Sequence, residues 1–308
     1  MTSNGIPALR AAPPGRVYLV LLAGLLAVSL GAIFARLAQD AGLPSLLIAA
    51  GRLTISALLL TPFVLIKHRG PLRELGRRDL TLAAGAGLFL ALHFATWIAS
   101  LEYTSVLISV VLVSTGPLWV ALLEVVFLHA RLNRLIVLGL GVAFAGGLAI
   151  AVAGAGGAEG SNPALGAVLS LIGAVTFACY LVTGRKLRGK LSLWPYVWLV
   201  YSCAAGFLIT LVIITGTPVR GFPAEGYFWV LLMALFPQII GHTSFNFALR
   251  YLPATYVGIA GQLEPIGSGL VALVAFGEDP TLGQLAGSAL IVAGVLLATL
   301  GLSRRRES

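Results

Sequence analysis

Polar and ionisable side chains recur at helical spacing inside stretches that are otherwise apolar, and chemistry is to be sought there. Gln238, His242 and Asn246 stand four apart in LFPQIIGHTSFNFALRY, so a helix carries them on one stripe. In LALHFATWIASLEY, His93, Trp97 and Ser100 form a second stripe. Glu264 lies in the knot GQLEP with Gln262 and the helix-bending Pro265, and Arg52 follows Pro44 in SLLIAAGRLTIS. Tyr180, with Cys179 and Thr176, adds polar groups to a further apolar run.

An ionisable group is costly to hold in apolar surroundings, so each of these should face a cavity or a partner. The Glu264 carboxylate could recognise an amine or carry a proton; it could equally pair with a buried Arg or bond a neighbouring helix. Arg52 suits a bound anion such as a carboxylate, while pairing with Glu264 or reaching out to the surface would also satisfy it. An imidazole can hold a proton near neutral pH, and the Trp97 face can stack on an aromatic or cationic ligand. A hydrogen-bonded strut between helices is the alternative for both histidines. The candidate cavity or ligand-binding residues are therefore Arg52, His93, Trp97, Tyr180, Gln238, His242, Asn246, Gln262 and Glu264. Of these, Glu264, His93 and His242 are the candidates for proton exchange. No HExxH, no G-x-S-x-G and no pair of aspartates lies within an apolar stretch, so no catalytic residue, metal site or cofactor is assigned.

The elements that must position these groups are long. Reading for the roughly 20 apolar residues that cross a hydrocarbon core gives ten spans, at 17–37, 43–66, 80–100, 104–128, 134–153, 164–184, 193–215, 226–249, 254–276 and 281–302. With 58% hydrophobic and 10% charged residues, the chain reads as an all-α polytopic membrane protein. Its net charge of +9 could mark a nucleic-acid surface, but the placement of the cations argues otherwise. Of the 20 Lys and Arg, all but Arg36, Arg52 and Arg220 fall in alternate gaps between spans or at the two ends. The positive-inside rule then puts both termini in the cytoplasm, with lipid headgroups and not nucleic acid as the partner of the charge. The first run lacks a small-residue cleavage site at its end and reads as a retained span. Cys179 and Cys203 both fall within spans, which gives a disulfide no support. The short loops leave no room for a soluble catalytic or nucleotide-binding domain, and no GxxxxGK[ST] is present to bind ATP.

Comparing the chain with itself at an offset of 148 residues lays Tyr103 on Tyr251, Pro117 on Pro265, Gly139 on Gly287 and Gly146 on Gly294. Spans one to five correspond to six to ten, and because five is odd the second set must enter the membrane from the opposite side. His93 falls on Gly241, beside His242, and Trp97 on Phe245. The expected organisation is a tail at 1–16, a first repeat at 17–153, a linker at 154–163, a second repeat at 164–302 and a tail at 303–308. Inverted repeats of this kind build carriers with a site near the membrane midplane.

PIGSGLVALVAFGEDPTLGQLAGSALIVAGVLL resembles the end of an EamA-type repeat of the drug/metabolite transporter superfamily: a Pro opening a helix, a small residue followed by Glu, then spaced Gln, Gly and Ile. HFATWIASLEYTSVLISVVLVSTGPLW is similar to the third and fourth helices of such a repeat. One departure is visible, since the closing Glu is kept as Glu278 in the second copy but is Ala130 in the first. The resemblance covers about residues 17–302 and implies a ten-helix carrier around a central cavity, often one exporting amino acids or other small metabolites.

Together these features favour a secondary carrier that moves a small amphipathic metabolite outward, proton-coupled or facilitated. Exchange of nucleotide sugars, nucleosides or phosphorylated metabolites is the alternative, although phosphates would need several buried cations and Arg52 is the only deep one. No ring of like charges or filter loop points to a channel. Compact loops, short tails and the lack of an organelle address point to a bacterial inner membrane, with a monomer or homodimer as the assembly.

Overall fold

The computed structural model describes residues 15–104, 106–128, 133–154, 161–276 and 281–307, and every regular element among them is helical. Ala130 and Glu278, where the copies depart from one another, lie outside the described residues, as do most of the expected N-terminal tail and the middle of the linker.

In chain order, α1 (Gly15–Val28) and α2 (Gly31–Asp40) form one interrupted rod, followed by α3 (Ser45–Lys67), a short α4 (Arg69–Arg73) and α5 (Arg77–Tyr103). Next come α6 (Val106–Val113), α7 (Gly116–Leu128) and α8 (Arg134–Gly154). The second half runs through α9 (Pro163–Arg188), α10 (Leu193–Thr215), α11 (Ala224–Met233), a π-helical segment at Ala234–His242 and α12 (Thr243–Ala248). It ends with α13 (Ala254–Gly261), α14 (Glu264–Phe276) and α15 (Leu282–Glu307), so the residues expected as a C-terminal tail continue the last helix through Glu307.

Local chemistry sets the ends and the breaks. Asn162 caps α9 by accepting from the Leu165 amide at 3.1 Å, and Pro163 begins the helix where its missing N–H costs nothing. Gly216 closes α10 with φ +64°, a conformation that a side chain would strain. Pro237 lies inside the π-helical segment, where its missing amide hydrogen widens the turn. Pro117 and Pro265 each follow a break, and the two breaks occupy equivalent positions. All four boundaries of α6 and α7 reappear 148 residues later in α13 and α14 (106 to 254, 113 to 261, 116 to 264, 128 to 276).

Seven helical segments among the described residues are long and apolar enough to cross a membrane: Gly15–Asp40, Ser45–Lys67, Arg77–Tyr103, Ser109–Phe127, Ala164–Arg185, Leu193–Thr215 and Ala224–Ala248. Two further apolar helices, Arg134–Ala149 and Leu285–Ala298, are shorter. Leu19, Ile66, Phe127 and Ile213 are exposed outside the bundle, as side chains facing hydrocarbon would be.

Lipid tails are as apolar as leucine, so close backbone approach and polar bonds, more than apolar burial, must join these helices. The tightest seam runs between α8 and α15. A Cβ on Gly139 would stand 2.5 Å from the Gly294 carbonyl oxygen, and one on Gly146 would stand 2.5 Å from that of Gly287. Elsewhere α5 packs on α9, α3 on α10, α7 on α13, and α1 on the π-helical segment and α12.

Candidate functional site

The broken and unbroken helices of both halves meet around a cavity. Arg52 enters it from α3, His93 and Trp97 from α5, Phe177 from α9, His242 from the end of the π-helical segment and Glu264 from the start of α14. Five of the nine residues expected to line a site thus share one wall: Arg52, His93, Trp97, His242 and Glu264.

Arg52 neither reaches the surface nor forms a direct ion pair with Glu264. It is 1% exposed, and among the described residues the ion pairs involve other side chains. Its Nε donates to Gln238 Oε1 at 2.7 Å, and its guanidinium lies 3.9 Å over the centre of the Phe94 ring. Arg52 Nη1 has no partner within the chain and is left for whatever enters the cavity. Glu264 keeps partial exposure on the same wall, and the two charges act on each other through the cavity.

The two imidazoles stand side by side, ring centres 6.1 Å apart. His93 Nδ1 lies 2.9 Å from the Gly173 carbonyl, which can only accept, so that nitrogen carries the hydrogen and the neutral ring has Nε2 as its acceptor. The His93 ring lies parallel to Trp97 at 6.0 Å. His242 Nδ1 has no partner, nor has Trp97 Nε1. Rings from Phe94, Phe177 and Phe245 surround His242 at 5.0, 5.8 and 5.9 Å. Three buried nitrogens that can donate have no partner within the chain, and all three belong to residues lining this aromatic-walled cavity: Arg52 Nη1, Trp97 Nε1 and, in the appropriate tautomer, His242 Nδ1. Such a set takes an acceptor-rich group, a carboxylate foremost.

The remaining expected residues stand behind this wall. Gln238 is fully buried and holds Arg52, with its own backbone carbonyl accepting from Tyr201. Asn246 is fully buried as well, donating to the Tyr180 hydroxyl and to the His242 carbonyl. Tyr180 is its partner in that layer and does not line the cavity. Gln262 lines a second, smaller pocket instead. Of the stripe read from the sequence, Gln238 and Asn246 make side-chain hydrogen bonds behind the wall and His242 lines the cavity.

Sequence reading missed Phe94 and Phe177, since an aromatic residue carries no signal of its own in an apolar run, whereas the repeat had already set Phe245 opposite Trp97. It also missed Arg188, read as a loop cation. Arg188 is 2% exposed, and its guanidinium donates to the Asn246 carbonyl at 2.9 Å and to that of Leu191. Arg36 donates to the Leu101 carbonyl at 2.6 Å and pairs with Asp40.

The model of the EamA-like transporter family matches this chain twice, over residues 15–152 and 164–300. A probable terminal-alkyne amino-acid exporter of Streptantibioticus cattleyicolor is 30% identical over 270 residues, covering 83% of this chain and 86% of its own. The uncharacterized inner membrane transporter YedA of Escherichia coli K12 is 28% identical over 263 residues, 84% of this chain and 82% of its own. An uncharacterized transporter of Archaeoglobus fulgidus is 26% identical over 228 residues, 74% of this chain and 79% of its own. A solved crystal structure superposes with a TM-score of 0.74 at 20% identity, covering 96% of this chain and 99% of that one, which speaks to the fold alone.

Proposed function

The chain belongs to the EamA-like transporter family and is a multi-pass membrane protein, and from that premise we propose that it is a secondary carrier exporting amino acids or related small amphipathic metabolites by alternating access. Family and relatives alike are transporters by description, not enzymes. The observation that carries the substrate reading is the orphaned Arg52 Nη1, on a side chain fixed by Gln238 and Phe94 that lines the same cavity as Glu264. A carboxylate seats on Arg52, an ammonium group lies toward Glu264, and Trp97, Phe177 and Phe245 cover the apolar remainder. Arg52 is the one Lys or Arg on that wall among the described residues, which suits a zwitterion better than a polyphosphate. The exporter of Streptantibioticus cattleyicolor, by its description, acts on an amino acid, in keeping with this choice.

The mechanism rests on ten spans arranged as two inverted repeats, at 17–153 and 164–302, with both termini in the cytoplasm of a bacterial inner membrane. What supports a two-fold relation is that contacts exchange under the 148-residue offset. Gly139 meets Gly294 as Gly146 meets Gly287, and Gly294 meets Ala143 as Gly146 meets Ile291. Each pair maps onto its counterpart, as an axis between the halves requires. Tilting one half against the other would open the cavity to alternate sides. Glu264, His93 and His242 are the groups for proton exchange.

Counterflow into proteoliposomes with a panel of amino acids tests this reading. Saturable exchange that competes among amino acids, and that is lost in Arg52→Ala, is expected. Uptake that does not saturate, or exchange indifferent to Arg52→Ala, would overturn it. An imposed pH gradient that leaves the exchange unchanged would remove the proton role.

A further inference from the structure

Beyond the main cavity lies a smaller pocket at the junction of the two broken helices, lined by Ser114, Thr115, Gln262 and Pro265 together with apolar residues of α6, α8 and α15. Two of its side-chain oxygens have no partner within the chain. Gln262 is 4% exposed, and its Oε1 has no partner within the chain. Ser114 Oγ is likewise unpartnered, and Ser114 lines both the pocket and the main cavity. Thr115 Oγ1 already donates to the Leu112 carbonyl at 2.7 Å and accepts from Trp119. Pro117 and Pro265 bring no amide hydrogen to the carbonyls four residues earlier, those of Val113 and Gly261, which sit at the C-terminal ends of α6 and α13. The negative ends of two short helices therefore come directly before Ser114 and Gln262 in the chain, with Val113 and Gly261 on the side of the main cavity.

Such a set lacks a partner that donates positive charge and accepts nothing. We infer that an alkali-metal cation, sodium in the test below, binds between the two breaks, coordinated by Gln262 Oε1, Ser114 Oγ and the helix-end carbonyls. Oxygen-only coordination by uncharged groups matches the preference of a hard monovalent ion. Unwound backbone at membrane depth is tolerated where it lines such a site. Ser114 and Gln262 are equivalent under the 148-residue offset (114 to 262), so each half supplies one side chain and the ion ties the halves together. Through Ser114, ion occupancy is linked to what the main cavity holds.

The test is a binding measurement and stands apart from the transport reading. Thermal unfolding of the purified protein in detergent is followed against sodium chloride and against choline chloride at matched ionic strength. A saturable rise in Tm with sodium and none with choline is expected. Gln262→Leu and Ser114→Ala each remove one ligand and should weaken the apparent sodium affinity about tenfold, while Gln262→Glu should strengthen it. If the leucine variant fails to fold, the alanine and glutamate variants carry the comparison. Equal responses to sodium and choline, or sodium affinity unmoved in every folded variant, would overturn the site. Failure of amino-acid counterflow would leave this result intact.

Discussion

Each polar side chain in this protein reads differently once its neighbours are known. Arg52 is held on three sides by Gln238, by Phe94 and by burial, so its free Nη1 has a fixed direction. Lysine gathers its donors on one ammonium and lacks the planar fork, so it cannot keep the separate directions of Nε toward Gln238 and Nη1 toward a carboxylate. Arg52→Lys should lower counterflow of carboxylate substrates by at least about tenfold while leaving expression and Tm close to wild type. Gln238→Leu acts behind the wall: it strips the cation of the hydrogen bond at Nε and should cost about 2–3 kcal/mol of stability, measured as loss of Tm. These residues were conspicuous in the sequence because a polar group in an apolar run must find a partner or a cavity. Which of them touch the cavity was not legible there. Spacing gives a face and not a depth, and a π-helical segment at Ala234–His242 shifts the row that Gln238, His242 and Asn246 were expected to share. Phe94 and Phe177 were invisible for the opposite reason, being apolar among apolar residues.

At the scale of elements, the length of the apolar runs and the positions of proline carried most of the architecture. Pro117 and Pro265 were legible as helix interruptions, and the breaks fall just before them. Pro265→Ala returns an amide hydrogen to the Gly261 carbonyl and should straighten the joint. Counterflow should fall in that variant although Tm holds or rises. The glycine seam was only half legible. The repeat singled out Gly139, Gly146, Gly287 and Gly294 as matched positions, but not that they meet across α8 and α15. Gly146→Leu would drive a side chain into the backbone of α15 at Gly287 and Ile291. A destabilisation of about 3 kcal/mol or more is expected, read as lost Tm or lost folded yield. Gly141, with open space around its Cβ position, should accept Ala with little change.

For the molecule as a whole, a duplicated sequence gives several packed helix pairs that exchange under the offset among the described residues: α1 on the π-helical segment and α12 answers α9 on α5, while α3 with α10, α7 with α13 and α8 with α15 map onto themselves. This symmetry was readable because the offset of 148 runs without a gap from Tyr103 to Gly146. The side chains that break it were not: His93 and His242 stand one position out of register, yet their rings lie side by side. The carrier proposed above must present one cavity to both sides of the membrane in turn. The most direct measurement is thiol accessibility at Phe177→Cys, on the cavity wall, in a chain carrying Cys179→Ala and Cys203→Ala. A membrane-impermeant thiol reagent is applied to right-side-out and to inverted vesicles. Labelling from both faces, slowed by a transported amino acid, is the predicted result; labelling from one face alone, or from neither, would contradict the account.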